Sequence, residues 1–200
     1  MADIIVAGNT SGSITLSAPA VSGSSVLTLP VATDTLVGKA TTDTLTNKSI
    51  AATQLTGTIA AARLPAGSVI QVVSFTTTTA TSTTSSSFVA TLLTASITPR
   101  SASNKILVQV TGPIDSAATN SQANGTIYRG ATILSGAGGF TNIFSNSGRI
   151  IGSLAMTYLD SPATTSSTTY TVYISCSNAS TIIFPQGTNT ASIILTEIAG

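Results

Sequence analysis

The chain has 200 residues, of which only 6% are charged and 42% are hydrophobic, and its formal net charge is +1. So balanced a charge excludes a basic surface for nucleic acid or anionic lipid, and the absence of histidine excludes Ser-His-Asp and Cys-His catalysis. Cys176 is the one cysteine, so no disulfide forms within the chain. The abundance of Ser, Thr, Val and Ile favours strands over helices, and we expect an all-β protein.

The N-terminal part, residues 1–66, differs from the rest because it contains no aromatic residue. The first aromatic residue of the chain is Phe75. The segments SGSITLSAPA and SSVLTLPVA predict short strands that end at prolines. The opening MADIIVAGNTSG has neither the basic region nor the apolar core of a signal peptide, and no apolar run approaches the about 20 residues of a membrane span. We expect no membrane partner, and we place the domain boundary at the breaker cluster Pro65-Ala66-Gly67.

Apolar side chains between Thr41 and Ser68 follow a spacing that suits no isolated element. They lie five, five, four and five residues apart, at Leu45, Ile50, Leu55, Ile59 and Leu64. A helix needs a period near 3.6 and a half-buried strand a period of 2. Three copies winding about a common axis would bring each Leu or Ile against its two equivalents. We therefore predict that residues 1–66 form an extended stalk and anchor in a homotrimer, with these side chains on the trimer axis.

Residues 67–200 contain β-type runs separated by Gly, Ser, Asn and Pro clusters. The predicted strands are 67–75, 87–97, 105–112, 125–134, 149–159, 168–176, 180–184 and 191–198. Alternation is clearest on the strand where Tyr170, Val172, Ile174 and Cys176 share one face. The Ser/Thr run at 76–87 is interpreted as a solvated loop or an edge. Eight strands in this length predict an eight-stranded antiparallel β-sandwich with a jelly-roll-like arrangement.

Several short motifs resemble those of one group of viral proteins. TDTLTNKSI followed by LTGTIAAARLP resembles the stalk motifs of tailed-bacteriophage fibre proteins, and SGSITLSAPA with VLTLPVATDTLVG resembles their N-terminal region. ITPRSASNKILVQV, YLDSPATTSSTTYTV and SIILTEIAG resemble the distal β domain of such virion proteins. The resemblance implies a homotrimer made in the host cytoplasm and carried on the virion surface. Residues 1–66 would attach to the major capsid protein or another virion protein, and the short chain favours a short fibre, a head fibre or a capsid decoration (cement) protein.

Residues able to perform chemistry are few. Cys176 lies on an alternating strand and is interpreted as a small buried residue. A glycosidase needs two carboxylates, but Asp115 and Asp160 lie in turn-like sequences and Glu197 lies near the end of the chain. The glycines of GAGG at 136–139 precede no helical segment, which indicates a loop and not a phosphate cradle. We expect no catalytic, cofactor-binding or metal-binding residue and no enzymatic activity.

Two functions are compatible with this fold, and a carboxylate-dependent hydrolase is the third alternative. In the first, the protein is a structural component of the virion. In the second, it is a receptor-binding tail fibre or spike tip that recognises a host-surface glycan through exposed tyrosines and loop amides. The first two differ in whether Tyr128, Tyr158 and Tyr173 are exposed or packed inside.

Overall fold

The computed structural model describes residues 63–200 without a gap, together with residues 4–7, 13–16, 49–51, 53, 56–57 and 59–60. By its internal contacts the chain divides into two compact units, Met1–Thr56 and Gly57–Gly200. In the first unit, strands β1 (Ile4–Ala7) and β2 (Ser13–Leu16) pair antiparallel. Strand β2 lies within the predicted strand SGSITLSAPA, whereas the predicted strand SSVLTLPVA lies outside the described residues.

The second unit is built from antiparallel strands. In chain order these are β3 (Val69–Thr77), β4 (Thr81–Thr83), β5 (Val89–Ile97), β6 (Lys105–Ser116), β7 (Ser121–Arg129), β8 (Thr132–Ile133), β9 (Thr141–Ser145), β10 (Ile150–Asp160), β11 (Thr168–Cys176), β12 (Ile182–Phe184) and β13 (Ala191–Ile198). Neighbouring strands run antiparallel in every pair. The predicted all-β class with antiparallel sheets is therefore confirmed.

These strands form two sheets. The first sheet has the order β10–β6–β13–β3, and β12 with β4 extends it beside the last residues of β6. The second sheet has the order β5–β11–β7, and both β8 and β9 pair with the remaining edge of β7. Strands β3, β5 and β10 each have one hydrogen-bonded neighbour strand, so they are the long edge strands of the two sheets.

The core lies between the two sheets, and the period of 2 along each strand explains which residues enter it. The second sheet buries Tyr170, Val172, Ile174 and Cys176 of β11, as their shared face predicts. The first sheet contributes the inward residues of its central strands: Ile106, Val108, Val110 and Ile114 of β6, and Ala191, Ile193 and Leu195 of β13. Each sheet thus keeps one face for the core and presents the other outward, as in a β-sandwich.

Some strand boundaries differ from the prediction. The predicted strand 125–134 breaks at Gly130, whose φ of +56° makes the tight turn between β7 and β8. Residues 141–145 form β9, which is too short for its alternation to stand out in the sequence. The Ser/Thr run at 76–87 includes β4, which lies at the end of its sheet and agrees with the interpretation as a loop or an edge.

Candidate functional site

The outer face of the first sheet carries apolar side chains that four neighbouring strands bring together. We call these residues the apolar face: Val69 and Val72 of β3, Leu107 of β6, Leu159 of β10, and Ile194 and Ile198 of β13. The strand register places Val72, Leu107 and Leu159 in one row across the sheet. The other members lie in the adjoining rows, and polar side chains lie among them: Thr196 stands between Val72 and Leu107, and Ser74, Gln109 and Thr157 share the row of Ile194.

Solvent reaches much of the apolar face. Val69, Val72 and Leu159 expose 59%, 58% and 48% of their surface, and the other members are partly buried. Four rows of outward side chains cross this face, from the row that contains Val69 to the row that contains Thr76. Lys105 is the only charged side chain in these rows. Exposed apolar side chains that gather on one face mark interaction sites on soluble proteins, so this face is the first candidate site.

The outer face of the second sheet is rich in hydroxyl groups, which pair across strands there as Thr111 and Ser192 do at 2.9 Å on the first sheet. Side-chain hydroxyls pair across β5 and β11, with 2.9 Å between Thr94 and Thr171 and 2.7 Å between Ser96 and Thr169. Leu92 of β5 is exposed to 54% among these polar neighbours. Because hydroxyl groups remain hydrogen-bonded in water, these side chains suit a solvated surface.

Two of the tyrosines singled out by the sequence lie on this second outer face. Tyr128 and Tyr173 stack with ring centroids 4.0 Å apart, and Phe88 meets the Tyr128 ring edge-on at 6.5 Å. Both tyrosines remain partly exposed. Tyr158, in contrast, packs against the core and against Phe140, with centroids 5.3 Å apart. All three tyrosines are partly buried, and they differ in that Tyr158 lies on the core side of its sheet while Tyr128 and Tyr173 lie on an outer face.

Asp115 and Asp160 are buried in strands beside arginines, so their placement in turns is wrong. The Arg149 guanidinium donates hydrogen bonds of 2.7–3.0 Å to Asp115, and Arg129 Nη1 donates to both oxygens of Asp160 at 2.8 Å. The Tyr170 hydroxyl also donates to Asp160, at 2.7 Å. Burial and then this hydrogen bond raise the pKa of Tyr170 far above its ordinary value. Strands β6 and β10 can include these aspartates because a carboxylate that is paired with an arginine can be buried.

Glu197 of β13 is completely buried and is held by hydrogen bonds. Asn104 Nδ2 and the Arg100 backbone N–H each donate to Oε1 at 2.6 Å, and Gln71 Nε2 donates to Oε2 at 2.6 Å. Burial by itself would raise the pKa of Glu197, but these hydrogen bonds together outweigh it and lower the pKa. The carboxylate thus ties the loop after β5 to the first sheet.

These carboxylates are distributed along the sheet instead of meeting in one cleft. Asp160 lies opposite Ile106, and Asp115 lies nine residues further along β6 (115 against 106), which corresponds to about 30 Å. Glu197 lies opposite Ile106 from the other side of β6, so about 10 Å separates its backbone from that of Asp160. Each carboxylate is hydrogen-bonded to its own arginine or amide partners, and these contacts stabilise the fold.

Cys176 and the glycine cluster also have packing roles. Cys176 is buried, and its Sγ accepts a hydrogen bond from the Ser180 backbone N–H at 3.1 Å. This agrees with its interpretation as a small buried residue. The GAGG cluster at 136–139 is a loop, as predicted. Gly139 has a φ of +83°, and a Cβ there would lie 2.6 Å from the Gly125 carbonyl oxygen, so glycine is required by both backbone and packing.

The predicted trimer-axis residues are described in part. Ile50 is 46% exposed and Ile59 is 60% exposed. Leu64 is partly buried and lines a cleft of about 250 Å³ with Arg100, Asn104 and Gly200 among others. Leu45 and Leu55 lie outside the described residues. The trimer axis, like the boundary at residues 65–67, stays a prediction.

Comparison with known proteins yields no matching family model and no matching curated sequence. Within the part of the chain that the structure describes, no helix has the length and apolar character needed to cross a membrane. The function is therefore to be inferred from the two outer faces and from the distribution of charge.

Proposed function

We propose that the chain is a structural protein of a bacteriophage virion, namely a short homotrimeric fibre or a capsid decoration protein. Residues 1–66 attach it to the major capsid protein or another virion protein, and residues 67–200 project from the particle surface. The observation that carries the proposal is the apolar face, which is exposed and almost uncharged in a single chain. The resemblance of TDTLTNKSI and LTGTIAAARLP to phage stalk motifs supports the viral assignment.

The strand order supports a jelly roll as the projecting domain. With the short β4, β8 and β12 left out, eight strands remain. When these eight are counted along the chain, one sheet holds the first, eighth, third and sixth strands side by side (β3–β13–β6–β10). The other sheet holds the second, seventh, fourth and fifth (β5–β11–β7–β9). A long antiparallel hairpin that rolls up into two layers produces this order. Jelly rolls serve in viral capsid proteins and in lectins, which are the two classes of function under comparison.

Self-association gives the apolar face a partner. Full burial of a Val, Leu or Ile side chain contributes about 1.5–3 kcal/mol relative to leaving it in water, so covering this face stabilises the assembly. Like charges repeated around a symmetry axis would oppose this gain. The chain has seven basic and six acidic residues in 200, and Asp115, Asp160 and Glu197 are buried beside partners of their own. Little repulsion therefore opposes a homotrimer.

The proposal assigns no catalytic residue, cofactor or metal to the chain. Asp115 and Asp160 are neutralised by arginines, and Glu197 is saturated by amide donors. Cys176 is packed inside the sandwich. These contacts leave each group in a structural role.

The stacked Tyr128 and Tyr173 favour a second candidate function, recognition of a host-surface glycan by a receptor-binding fibre or spike tip. Aromatic rings flanked by hydroxyl groups suit the mixed apolar and polar surface of a sugar. Binding of the full-length chain to an array of bacterial surface glycans tests this function. Binding that is lost in Tyr173→Ala supports it, whereas an intact chain that binds no glycan contradicts it.

Two measurements on the full-length chain test the structural proposal. Light scattering in dilute buffer is expected to give three times the 19.9 kDa mass of one chain. Antibodies raised against the purified protein are expected to label purified phage particles in electron micrographs. The mass of one chain contradicts the trimer, and unlabelled particles contradict the virion assignment.

A further inference from the structure

Two buried side-chain hydroxyls, Ser116 Oγ and Ser180 Oγ, have no hydrogen-bond partner within the part of the chain that the structure describes. Ser116 is 1% exposed and Ser180 is 8% exposed, so bulk solvent does not reach either hydroxyl. A buried hydroxyl without a partner costs free energy, and internal water molecules bind at such groups. We infer that one internal water molecule binds between Ser116 and Ser180 and joins the end of β6 to the segment that leads into β12. This inference is independent of the proposed function.

Both serines lie where the chain passes from one sheet to the other. Strand β6 of the first sheet leads into β7 of the second, and β11 of the second sheet leads into β12 of the first. These two connections lie side by side, because the Ala117 backbone N–H donates to the Thr181 carbonyl oxygen at 3.1 Å. Ser116 directly precedes this donor and Ser180 directly precedes this acceptor. The two hydroxyls therefore belong to one end of the sandwich.

The strand register sets the distance between the two serines. Ser116 lies opposite Ile182, and Ser180 lies two residues before Ile182, so the serines are diagonal neighbours. Diagonal neighbours have Cα atoms about 7–8 Å apart and Cβ atoms somewhat closer. This separation is too long for a direct hydrogen bond between two short side chains. A water molecule that bonds to both hydroxyls spans up to about 5.5 Å, which suits the gap.

Both serines lie on the interior side of the chain, among other small polar groups. Ser116 follows the buried Ile114 with the period of 2 of β6, so it faces the core. The Ser180 backbone N–H donates to the buried Cys176 Sγ at 3.1 Å, and Ser121 Oγ lies 3.6 Å from the same sulfur. Small side chains leave more room than the isoleucines of the core, and a bound water needs both room and polar partners.

The chemistry of these groups favours a neutral ligand over an ion. A serine hydroxyl can donate and accept a hydrogen bond, as water can. Asp115, which precedes Ser116, is paired with Arg149 at 2.7 Å, so its charge is already balanced. An ion buried between two neutral hydroxyls would lose its hydration without gaining a counter-charge. Water fits the site without this cost.

The bound water would strengthen a weakly paired strand. Strand β12 pairs with β6 at two positions, Ile182 with Ser116 and Ile183 with Asp115, and it carries β4 on its other edge. A water bridge at the entry to β12 adds hydrogen bonds to this short pairing. The bridge therefore helps to hold β12 and β4 on the first sheet.

Serine-to-alanine substitutions in the full-length chain test the bridge by the sign of their effect. If water joins the hydroxyls, Ser116→Ala and Ser180→Ala each leave one buried group short of a partner. We expect each to raise the unfolding equilibrium constant roughly tenfold, measured by urea unfolding at pH 7 and equal chain concentration. If the hydroxyls have no partner at all, their removal relieves a cost and stabilises the fold.

The double variant and a matched control complete the stability measurement. Either substitution breaks the same bridge, so the double variant is expected to lose much less stability than the two single losses combined. The control is Ser153→Ala, an exposed serine on the neighbouring strand β10. We expect it to change the unfolding constant by no more than about twofold.

Magnetic relaxation dispersion of water ¹⁷O provides a direct count of the waters held inside the folded protein. The oxygen signal excludes the serine hydroxyls themselves. We expect the variant with both Ser116→Ala and Ser180→Ala to hold one long-lived water fewer per chain than the parent, and Ser153→Ala to hold the same number. Circular dichroism verifies that each variant is folded. Should the double variant not fold, either single variant replaces it, since the loss of one hydroxyl already breaks the bridge.

The outcomes decide the inference in both directions. Loss of one water together with non-additive destabilisation supports the bridge. Higher stability of either alanine variant, or an unchanged number of long-lived waters, would overturn it. Additive destabilisation with the loss of two waters would show that each serine binds a water of its own, which also overturns the shared site.

Discussion

Glu197 joins three segments that are distant in sequence, because its carboxylate accepts hydrogen bonds from Gln71, Arg100 and Asn104. An ionised carboxylate is costly to bury, and these donors replace the water it has lost. The hydrogen bonds favour the charged form strongly enough to lower its pKa. The contacts that hold together the end of β13, the start of β3 and the loop after β5 therefore depend on the ionisation of Glu197.

The lowered pKa of Glu197 predicts an acid-dependent loss of stability. Because the folded-state pKa lies below the ordinary value of 4.5, Glu197 stabilises the folded chain above pH 4.5, and this contribution is lost as the pH falls through the folded pKa. Glu197→Gln is expected to unfold about 1–3 kcal/mol more easily at pH 7 and to lose less stability between pH 5 and pH 3. Urea titrations followed by tyrosine fluorescence measure both, since all the tyrosines lie between residues 128 and 173. An unchanged pH dependence would contradict this role.

At the scale of strands, glycines set how closely neighbouring elements approach. Gly112 faces inward on β6, and a Cβ there would lie 2.6 Å from the Ala191 Cβ and 2.8 Å from Phe184 Cε2. A ring and a backbone-attached methyl cannot move aside as the end of a long side chain can. The packing of β12 and β13 against β6 therefore depends on the missing side chain at this position.

Gly112→Ala is accordingly expected to destabilise the second unit by about 1–3 kcal/mol through overpacking. Gly136→Ala is the matched control, because a Cβ at Gly136 meets no atom within 4 Å and its backbone is not in the left-handed region. Midpoints of urea unfolding at pH 7 compare the two. Equal midpoints for both variants would show that β12 and β13 shift to make room.

At the scale of the whole molecule, the two parts of the chain have different means of burying apolar surface. The second unit has a core shared by two sheets, to which every sizeable strand contributes. Residues 1–66 have no aromatic side chain, and their leucines and isoleucines from Leu45 onward are widely spaced. A segment of this composition needs copies of itself or another protein to cover its apolar residues.

Ile50→Asp tests the proposed axis in the N-terminal part. In a trimer the substitution would bring three carboxylates close together, so we expect loss of trimeric order in residues 1–66 while residues 67–200 stay folded. Thr53→Asp, at a nearby exposed position, is the control. Limited proteolysis followed by mass spectrometry reads out the result. A cleavage pattern identical to that of the parent would show that the Ile50 side chains do not meet.

Residues 67–200 are expected to fold without the N-terminal part but not to attach to phage particles. The hydrogen bonds between Gly67 N–H and Ala199 C=O and between Ala199 N–H and Ser68 C=O already close this end of the sandwich. A chain of residues 67–200 should therefore be soluble and β-rich by circular dichroism, yet leave particles that lack the full-length protein undecorated. Binding as strong as that of the intact chain would move the anchor into the sandwich.

The local sequence pattern is sufficient to predict the features of this protein that depend on a single strand. The alternation around Tyr170 and Val172 predicts which side of β11 is buried, because a strand exposes its residues with a period of 2 whatever lies beside it. The near absence of charge and the lack of aromatics before Phe75 likewise follow from composition. These observations are enough for the all-β class and for most strand positions.

Only the tertiary structure decided which strands lie together, because strand order and register depend on contacts between distant segments. Arg129 pairs with Asp160 across 31 residues, and Gln71 meets Glu197 across 126, so no local signal marks either partner. The local pattern therefore predicts turns at Asp115 and Asp160, whereas both lie in strands. Val72, Leu107 and Leu159 are scattered in sequence, and they share one row of an outer face because the rolled antiparallel order sets β3, β13, β6 and β10 side by side.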